Sequence, residues 1–114
     1  MEANTCYVGL PLGEAARTVS ALVERLGVSS KTADCHELRQ GEDLCGFVLV
    51  FEKYYVRAGG RLTMTVALDC PEGRTRVHWT VTGGEGIFNS SGDSKVAAEK
   101  YSSALREALF PYLA

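Results

Sequence analysis

Two histidines and four cysteines are the side chains of this sequence best suited to binding a metal ion or acting as nucleophiles. A zinc site needs three or four converging ligands, and its usual signature is two close pairs of Cys or His residues. Cys35 and His36 form the one adjacent pair, whereas Cys45, Cys70 and His78 are scattered. Neighbouring side chains in a strand point to opposite faces, so Cys35 and His36 would not readily share an ion. We therefore expect no metal site and no cofactor.

Nucleophilic catalysis requires a Ser or Cys beside a histidine base, with an acid that orients the base. His36 and His78 are the only histidines, and no nucleophile-elbow sequence accompanies them. Glu52 and Glu85 could act as a pair of carboxylates, but the sequence does not set the distance between them. The sequence therefore favours a protein that is not an enzyme, and an enzyme of unknown class is the third hypothesis.

A glycine-rich segment before the last predicted helix has the composition of an anion-binding loop. Glycines expose backbone N–H groups, and the start of a helix adds the positive end of its dipole. The candidate anion ligands are Gly83, Gly84, Ser91 and Lys95. The spacing matches neither the P-loop nor the dinucleotide fingerprint, and Glu85 and Asp93 would repel an anion. A loop followed by an acidic helix cap is the competing interpretation.

Aromatic and charged side chains are concentrated at the end of the most apolar strand. Because Tyr and Arg are enriched at protein interfaces, this cluster is a candidate partner-binding surface. Its residues are Glu52, Tyr54, Tyr55 and Arg57, with Lys53 between them. The alternative is an ordinary strand end, with one tyrosine packed inward and the other at the rim.

Hydrophobic periodicity predicts the elements that must position these residues. Apolar residues at helical spacing predict one helix from Leu12 to Leu26 and another that begins at Asp93 or Ser94 and is disturbed by Pro111. Strands are predicted at Thr5 to Leu10, from Lys31 to Leu38, at Leu44 to Val56, and on both sides of the Pro71 to Gly73 turn. A hairpin is predicted at Ala58 to Arg61.

This order of strand, helix, four strands and helix predicts one α+β domain over residues 1–114. Two amphipathic helices can cover one face of an antiparallel sheet. We therefore expect a two-layer β-α-β-β-β-β-α sandwich, with a curved antiparallel sheet and both helices packed on one face. The arrangement resembles the TBP-like fold, which helix-grip lipid-binding proteins show in elaborated form. A resemblance at the level of the fold carries no function by itself.

The strand from Leu44 to Val56 is apolar at both parities, whereas a strand covered on one face alternates. Two helices cover only one face, so one of two sets of side chains needs other cover: Phe47, Leu49 and Phe51, or Val48 and Val50. We expect the protein to form a homodimer through the sheet face or edge that includes this strand.

The single tryptophan shares its parity with Val77 and Val81, and this alternation predicts that it faces the helices. Trp79, Leu105 and Leu109 would then line the contact between the C-terminal helix and the sheet. A groove there could bind a small apolar molecule, which is the alternative to a protein-interaction module. A solid core at this position would favour the interaction module.

Charge and composition exclude further classes of protein. A formal net charge of −2 does not suit a nucleic-acid surface, which relies on clustered Lys and Arg. The longest apolar stretch, Leu44 to Phe51, is far below the ~20 residues that span a bilayer, and no signal-peptide pattern opens the sequence. We expect a cytoplasmic protein without nucleic-acid or membrane partners. Its cysteines are expected to be reduced and packed as small hydrophobic side chains: Cys6, Cys35, Cys45 and Cys70.

Three segments between Phe51 and Gly84 form a pattern of their own. Phe51-Glu52-Lys53-Tyr54 ends a strand, Gly59-Gly60-Arg61-Leu62 forms the hairpin, and Thr82-Gly83-Gly84 closes the last strand. This pattern resembles a family of small bacterial proteins known only as a domain of unknown function. The resemblance implies no catalytic residue. Taken with the other observations, it favours a non-enzymatic binding or protein-interaction module.

Overall fold

The computed structural model describes residues 4–27, 29–55, 60–83 and 93–114 of the chain. The strands in these residues are β1 (Thr5–Val8), β2 (Lys31–Gln40), β3 (Asp43–Tyr55), β4 (Gly60–Asp69) and β5 (Thr75–Gly83). The helices are α1 (Leu12–Glu24) and α2 (Asp93–Leu109), with short 3₁₀ turns at Pro71–Gly73 and Phe110–Tyr112. The predicted α+β class and the predicted order of the elements are confirmed.

All the strands in the described residues belong to one five-stranded sheet, in the order β1-β5-β4-β3-β2, and every neighbouring pair is antiparallel. β2 to β5 follow one another across the sheet because short connections join successive strands. β1 instead pairs with β5, so that Thr5 lies opposite His78 and Val8 lies opposite Thr75. β1 and β2 are therefore the two edge strands.

One face of the sheet carries the hydrophobic core. In β4 the buried side chains alternate with more exposed ones, and the buried set is Leu62, Met64, Val66 and Leu68. Residues directly opposite each other in an antiparallel pair share a face, so the neighbouring strands contribute matching residues. These are Phe47, Leu49 and Phe51 of β3 and Val77 and Trp79 of β5.

Both helices pack on this face, α1 mainly against β3 and α2 mainly against β5. Each helix presents an apolar stripe at helical spacing to the sheet. The buried residues are Ala15, Ala16, Val19 and Val23 of α1 and Tyr101, Leu105 and Leu109 of α2. Together with the strand residues they form one continuous core cluster, which the two-layer arrangement requires.

The apolar run of β3 divides between the two faces of the sheet. Phe47, Leu49 and Phe51 are buried beneath the helices. Val48 and Val50 point to the other face and are half-buried. We call the sheet face opposite α1 and α2 the open face. Val48 and Val50 are therefore the set that the helices leave uncovered. Because β3 lies between β2 and β4, it is not an edge strand, and the prediction of a dimer through an edge formed by this strand is wrong.

Several boundaries differ from the prediction for local reasons. β1 ends at Val8, before the predicted Leu10, because the Gly9 N–H bonds to the carbonyl of Tyr112 at 2.9 Å. α1 ends at Glu24, before the predicted Leu26, because the chain tightens there into bonds between residues three apart. The predicted Ala58 to Arg61 hairpin lies partly outside the described residues. None of the helices in the described part of the chain is long and apolar enough to cross a membrane.

Candidate functional site: a groove on the open face of the sheet

The candidate site is built from two transverse rows of side chains on the open face. Strand register aligns the first row across the whole sheet as Leu38, Gly46, Asp69, Arg76 and Tyr7. The adjacent row consists of His36, Val48, Ala67, His78 and Thr5. The rows run across all five strands, and the residues among them that line the groove belong to β1, β2, β4 and β5, so only the assembled sheet brings them together.

A depression lies beside these two rows on the open face, and the small side chain of Ala67 contributes to its lining. Gly46 has no side chain, and a Cβ atom added to it would clash with the backbone carbonyl oxygen of Leu68. The side chain of Ala67, in the adjacent row, is a single methyl group. The groove has a volume of about 830 Å³ and a mostly apolar lining. Leu38, which is 41% exposed, forms one wall.

The opposite wall is formed by β1 and by the C-terminal segment of the chain. An antiparallel bridge joins Val8 to Leu113, and the Ala114 N–H bonds to the Tyr7 carbonyl at 3.0 Å. This pairing places Leu113 beside Tyr7 at the groove. The guanidinium of Arg74 stacks over the Tyr7 ring, 3.9 Å from its centroid. A cation held over an aromatic face in this way is electrostatically favoured.

The charged groups at the groove differ in how they are neutralised. Arg76 donates two hydrogen bonds to the Asp69 carboxylate, at 2.9 and 2.6 Å, and this pairing raises the pKa of the guanidinium above its ordinary value. The Nδ1 atom of His78 lies 2.7 Å from the hydroxyl of Thr5. Arg74 makes no ion pair with any carboxylate of the described residues. Arg74 is therefore the cation at this groove best placed to meet an anionic group.

A second, smaller depression of about 420 Å³ lies between α2 and the end of β5. Three of its polar residues, Asn4, Ser102 and Arg106, belong to one hydrogen-bond network. The Trp79 indole N–H donates to Ser102 Oγ at 2.9 Å, and Ser102 Oγ donates to Asn4 Oδ1 at 3.2 Å. Arg106 donates to the same Asn4 oxygen at 2.7 Å. This network fastens the segment before β1 to α2.

The predicted helix–sheet groove residues lie in the core. Trp79, Leu105 and Leu109 are each 1% exposed or less, which confirms the predicted burial of the tryptophan. None of the three lines either depression. The contact between α2 and β5 at these residues is solid packing.

The structure separates the predicted interface cluster from the groove. Glu52 and Tyr54 lie on the open face, but at the opposite end of β3 from Gly46. Glu52 forms an ion pair with Arg61 at 3.6 Å, and the Tyr54 backbone exchanges hydrogen bonds with the Ser29 hydroxyl. The Tyr55 side chain and Arg57 lie outside what the structure describes.

The predicted anion loop also falls largely outside the described residues. Gly83 is the last residue of β5, and Lys95 is an exposed residue of α2. Gly84 and Ser91 lie in the segment 84–92, which is not described.

The cysteines occupy different environments from the one predicted. Burial of all four is wrong for Cys35, Cys45 and Cys70, which are exposed because they lie in the edge strand, at its hairpin and at a turn. Only Cys6 is partly buried, and desolvation raises the pKa of its thiol. No group of three His, Cys, Asp or Glu side chains in the described part of the chain could hold a metal ion.

Sequence reasoning misses residues that line the groove, among them Tyr7, Leu38, Ala67 and Arg74. Their proximity depends on strand register and on the turn before β5, which no local pattern encodes. One signal was available: a glycine inside a strongly apolar strand indicates a bulge or a close backbone approach. Gly46 is such a glycine, and the pairing skips the adjacent Cys45.

The chain matches a family model over most of its length. A family model described as a family of unknown function, DUF6054, matches residues 1–108. The match extends well beyond the segment from Phe51 to Gly84 that carries the resemblance in the sequence. No curated protein and no solved structure matches the chain.

Proposed function

The chain belongs to DUF6054, a family of unknown function, and we propose that it is a non-enzymatic protein-interaction module that forms a homodimer through the uncovered edge of its sheet. The observation that carries this proposal is the contrast between the two edges. β2 is ten residues long, and every one of these residues is exposed. Within the described residues, nothing pairs with the outer side of β2.

The other edge is closed by the chain itself. β1 is only four residues long, and the C-terminal segment pairs with it through the Val8–Leu113 bridge. Exposed edges offer unpaired N–H and C=O groups to another strand, and natural proteins usually shorten, cover or charge them. One edge of this sheet is short and covered, whereas the other is long and uncovered. A second copy of β2 would satisfy the same backbone groups.

Apolar surface lies next to this edge. Leu38, on the open face of β2, is 41% exposed, and Ala67 on the same face is also exposed. β2 also carries four charged side chains that keep its exposed edge hydrated: Lys31, Asp34, Glu37 and Arg39. Pairing through backbone hydrogen bonds with one apolar contact suits a reversible interface at the small end of the usual size range.

Sedimentation equilibrium tests this proposal. We expect a monomer–dimer equilibrium with a dissociation constant in the micromolar range, which is about −8 kcal/mol of association free energy. Leu38→Glu should weaken the dimer at least tenfold, about 1.4 kcal/mol, because it places like charges at the contact. Val96→Glu is the matched control. Val96 is 54% exposed and lies on α2, which packs mainly against β5 rather than β2.

A protein that remains monomeric at several hundred micromolar would overturn the proposal. Equal weakening by Val96→Glu and Leu38→Glu would also contradict it, because the effect would then come from added charge in general.

The groove supports a second candidate function, the binding of a small apolar molecule that carries an anionic group. Its volume of about 830 Å³ lies within the range of ligand sites, ~300–1,000 Å³. Leu38, Ala67 and Leu113 offer apolar surface, and Arg74 offers a cation for the anionic end. The sequence predicts such a ligand beside Trp79, but Trp79 lies in solid core. The open face instead has a groove of sufficient volume.

Decanoate and decanol are suitable probes for this second function. We expect decanoate to raise the melting temperature saturably, as ligand linkage requires. Ala67→Phe should abolish the shift by filling the groove, whereas Thr82→Phe, on the same face beyond the groove, should retain it. Arg74→Gln should weaken decanoate binding about tenfold and leave decanol unaffected. The absence of a saturable shift, or identical behaviour of Ala67→Phe and Thr82→Phe, would exclude this function.

A further inference from the structure

We infer that two chains pair β2 with β2 in an antiparallel register centred on Leu38, an inference that rests on the proposed homodimer and specifies its geometry. The two sheets would then join into one continuous sheet, with all helices on the same side. Leu38 of each chain would meet the partner's Leu38 beside the two grooves. The argument comes from the faces, charges and regularity of β2.

Symmetry limits the registers that are available. In a two-fold antiparallel pair within one sheet, residues opposite each other must share a face, because alternate side chains point to opposite faces. The two-fold axis must therefore pass midway between a residue and its own copy in the partner strand. In β2 the pairing with β3 places His36, Leu38 and Gln40 on the open face and Glu37 and Arg39 on the helix face.

The four neighbouring registers, centred on Cys35, His36, Glu37 and Arg39, are less favourable. A register centred on Glu37 places two carboxylates directly opposite each other, and one centred on Arg39 does the same with two guanidinium groups. A register centred on His36 opposes two imidazoles and places Cys35 opposite Glu37. A register centred on Cys35 brings the irregularity at residue 33 into the paired segment, because the pairing with β3 skips that residue.

The register centred on Leu38 opposes only compatible groups. Glu37 of each chain lies opposite the partner's Arg39, and His36 lies opposite the partner's Gln40. Glu37 and Arg39 already form an ion pair at 2.9 Å within one chain, and both side chains are about half exposed. Dimerisation would therefore close a ring of two carboxylates and two guanidinium groups. On the other face, the exposed Leu38 would gain apolar cover from the partner's Leu38.

The segment that would pair, from His36 to Gln40, is regular in β2. The second irregularity of this hairpin falls between Leu38 and Arg39, but its extra residue is Cys45 of β3, so β2 itself is continuous there. Every residue of β2 is exposed, whichever face of the sheet its side chain lies on. The helices therefore leave this strand accessible to a partner.

Two charge-reversal variants test this register. The Glu37→Arg chain carries only cations at positions 37 and 39, and the Arg39→Glu chain carries only anions. Each variant alone should lose at least tenfold in dimer affinity because like charges are opposed. An equimolar mixture should recover the affinity by forming heterodimers, and this recovery should weaken as salt is raised. Sedimentation equilibrium measures the affinities, and native mass spectrometry identifies the heterodimer.

The outcomes separate this inference from the proposed function. If the unmodified protein dimerises and either variant dimerises equally well, the homodimer stands and the Leu38-centred register is wrong. If both variants are weakened but their mixture is no tighter than either alone, the register is also wrong. If the unmodified protein does not dimerise at all, the proposed function itself fails. Heterodimer formation would show that both variant chains are folded, and circular dichroism of each provides the same check when no heterodimer appears.

Discussion

Gly46 lies in the first row of the open face, next to the extra residue Cys45 of β3, and its surroundings leave no space for a side chain. A Cβ atom there would clash with the backbone carbonyl oxygen of Leu68, which belongs to the neighbouring strand. A backbone atom cannot rotate away as a side chain can. Any residue other than glycine would therefore have to push β3 and β4 apart at this point.

Gly46→Ala is accordingly expected to destabilise the protein by about 1–3 kcal/mol, the usual cost of overpacking. Gly13→Ala is the matched control, since its Cβ would meet only the end of the Arg17 side chain at 3.8 Å. That substitution, within α1, should stabilise the protein by roughly 0.4–1 kcal/mol because it restricts the unfolded chain. Urea denaturation measures both changes. A Gly46→Ala protein as stable as the parent would show that the sheet yields at this point.

At the scale of the elements, Ser30 links the end of α1 to α2. Its hydroxyl donates to the Val23 carbonyl at 2.7 Å and lies 2.9 Å from the Tyr101 hydroxyl. Since the Ser30 proton is already used, the Tyr101 hydroxyl is the donor between them. Burial raises the pKa of Tyr101 above its ordinary value of 10.0.

This shift predicts a loss of stability at high pH. A pKa that is higher in the folded state means that stability is fully present below about pH 10 and is lost as the pH rises through the folded value. Tyr101→Phe should reduce the loss that begins as the pH rises above about 10, at a cost of about 1 kcal/mol near pH 7 from the missing hydrogen bond. Tyr54→Phe, at an exposed ring, should keep the parent's dependence. Identical pH profiles for the parent and Tyr101→Phe would contradict this assignment.

At the scale of the whole molecule, the described parts of the chain place two helices on one face of the sheet and leave the outer edge of β2 unpaired. The formal charge of −2 on each chain is small, so overall repulsion between two copies is weak. The affinity of the proposed dimer should therefore depend on local contacts at β2 more than on net charge. For the unmodified protein we expect only a modest change in affinity between low and physiological salt, because Glu37 and Arg39 are already paired within each chain before dimerisation. The mixture of charge-reversal variants should depend more on salt, since each variant alone carries like charges at these two positions.

The sequence by itself determined the elements and the core. Strict alternation in β4 and β5 and helical spacing in α1 and α2 are local patterns, because they arise from the repeat of the backbone itself. Such patterns identify Trp79 as a core residue before any contact is known. The family also follows from the sequence alone, although it brings no activity with it.

Only the tertiary structure decided which face of β3 is covered, which edge is free and where a groove forms. β2 is an edge because β1 inserts at the far side of β5, and its Cys35 is exposed for that reason despite a residue type that prefers burial. Leu38, Gly46 and Arg76 lie in one row only through the register of four strands. Register, edge position and cover depend on residues far apart in the chain, and periodicity within one element carries no information about them.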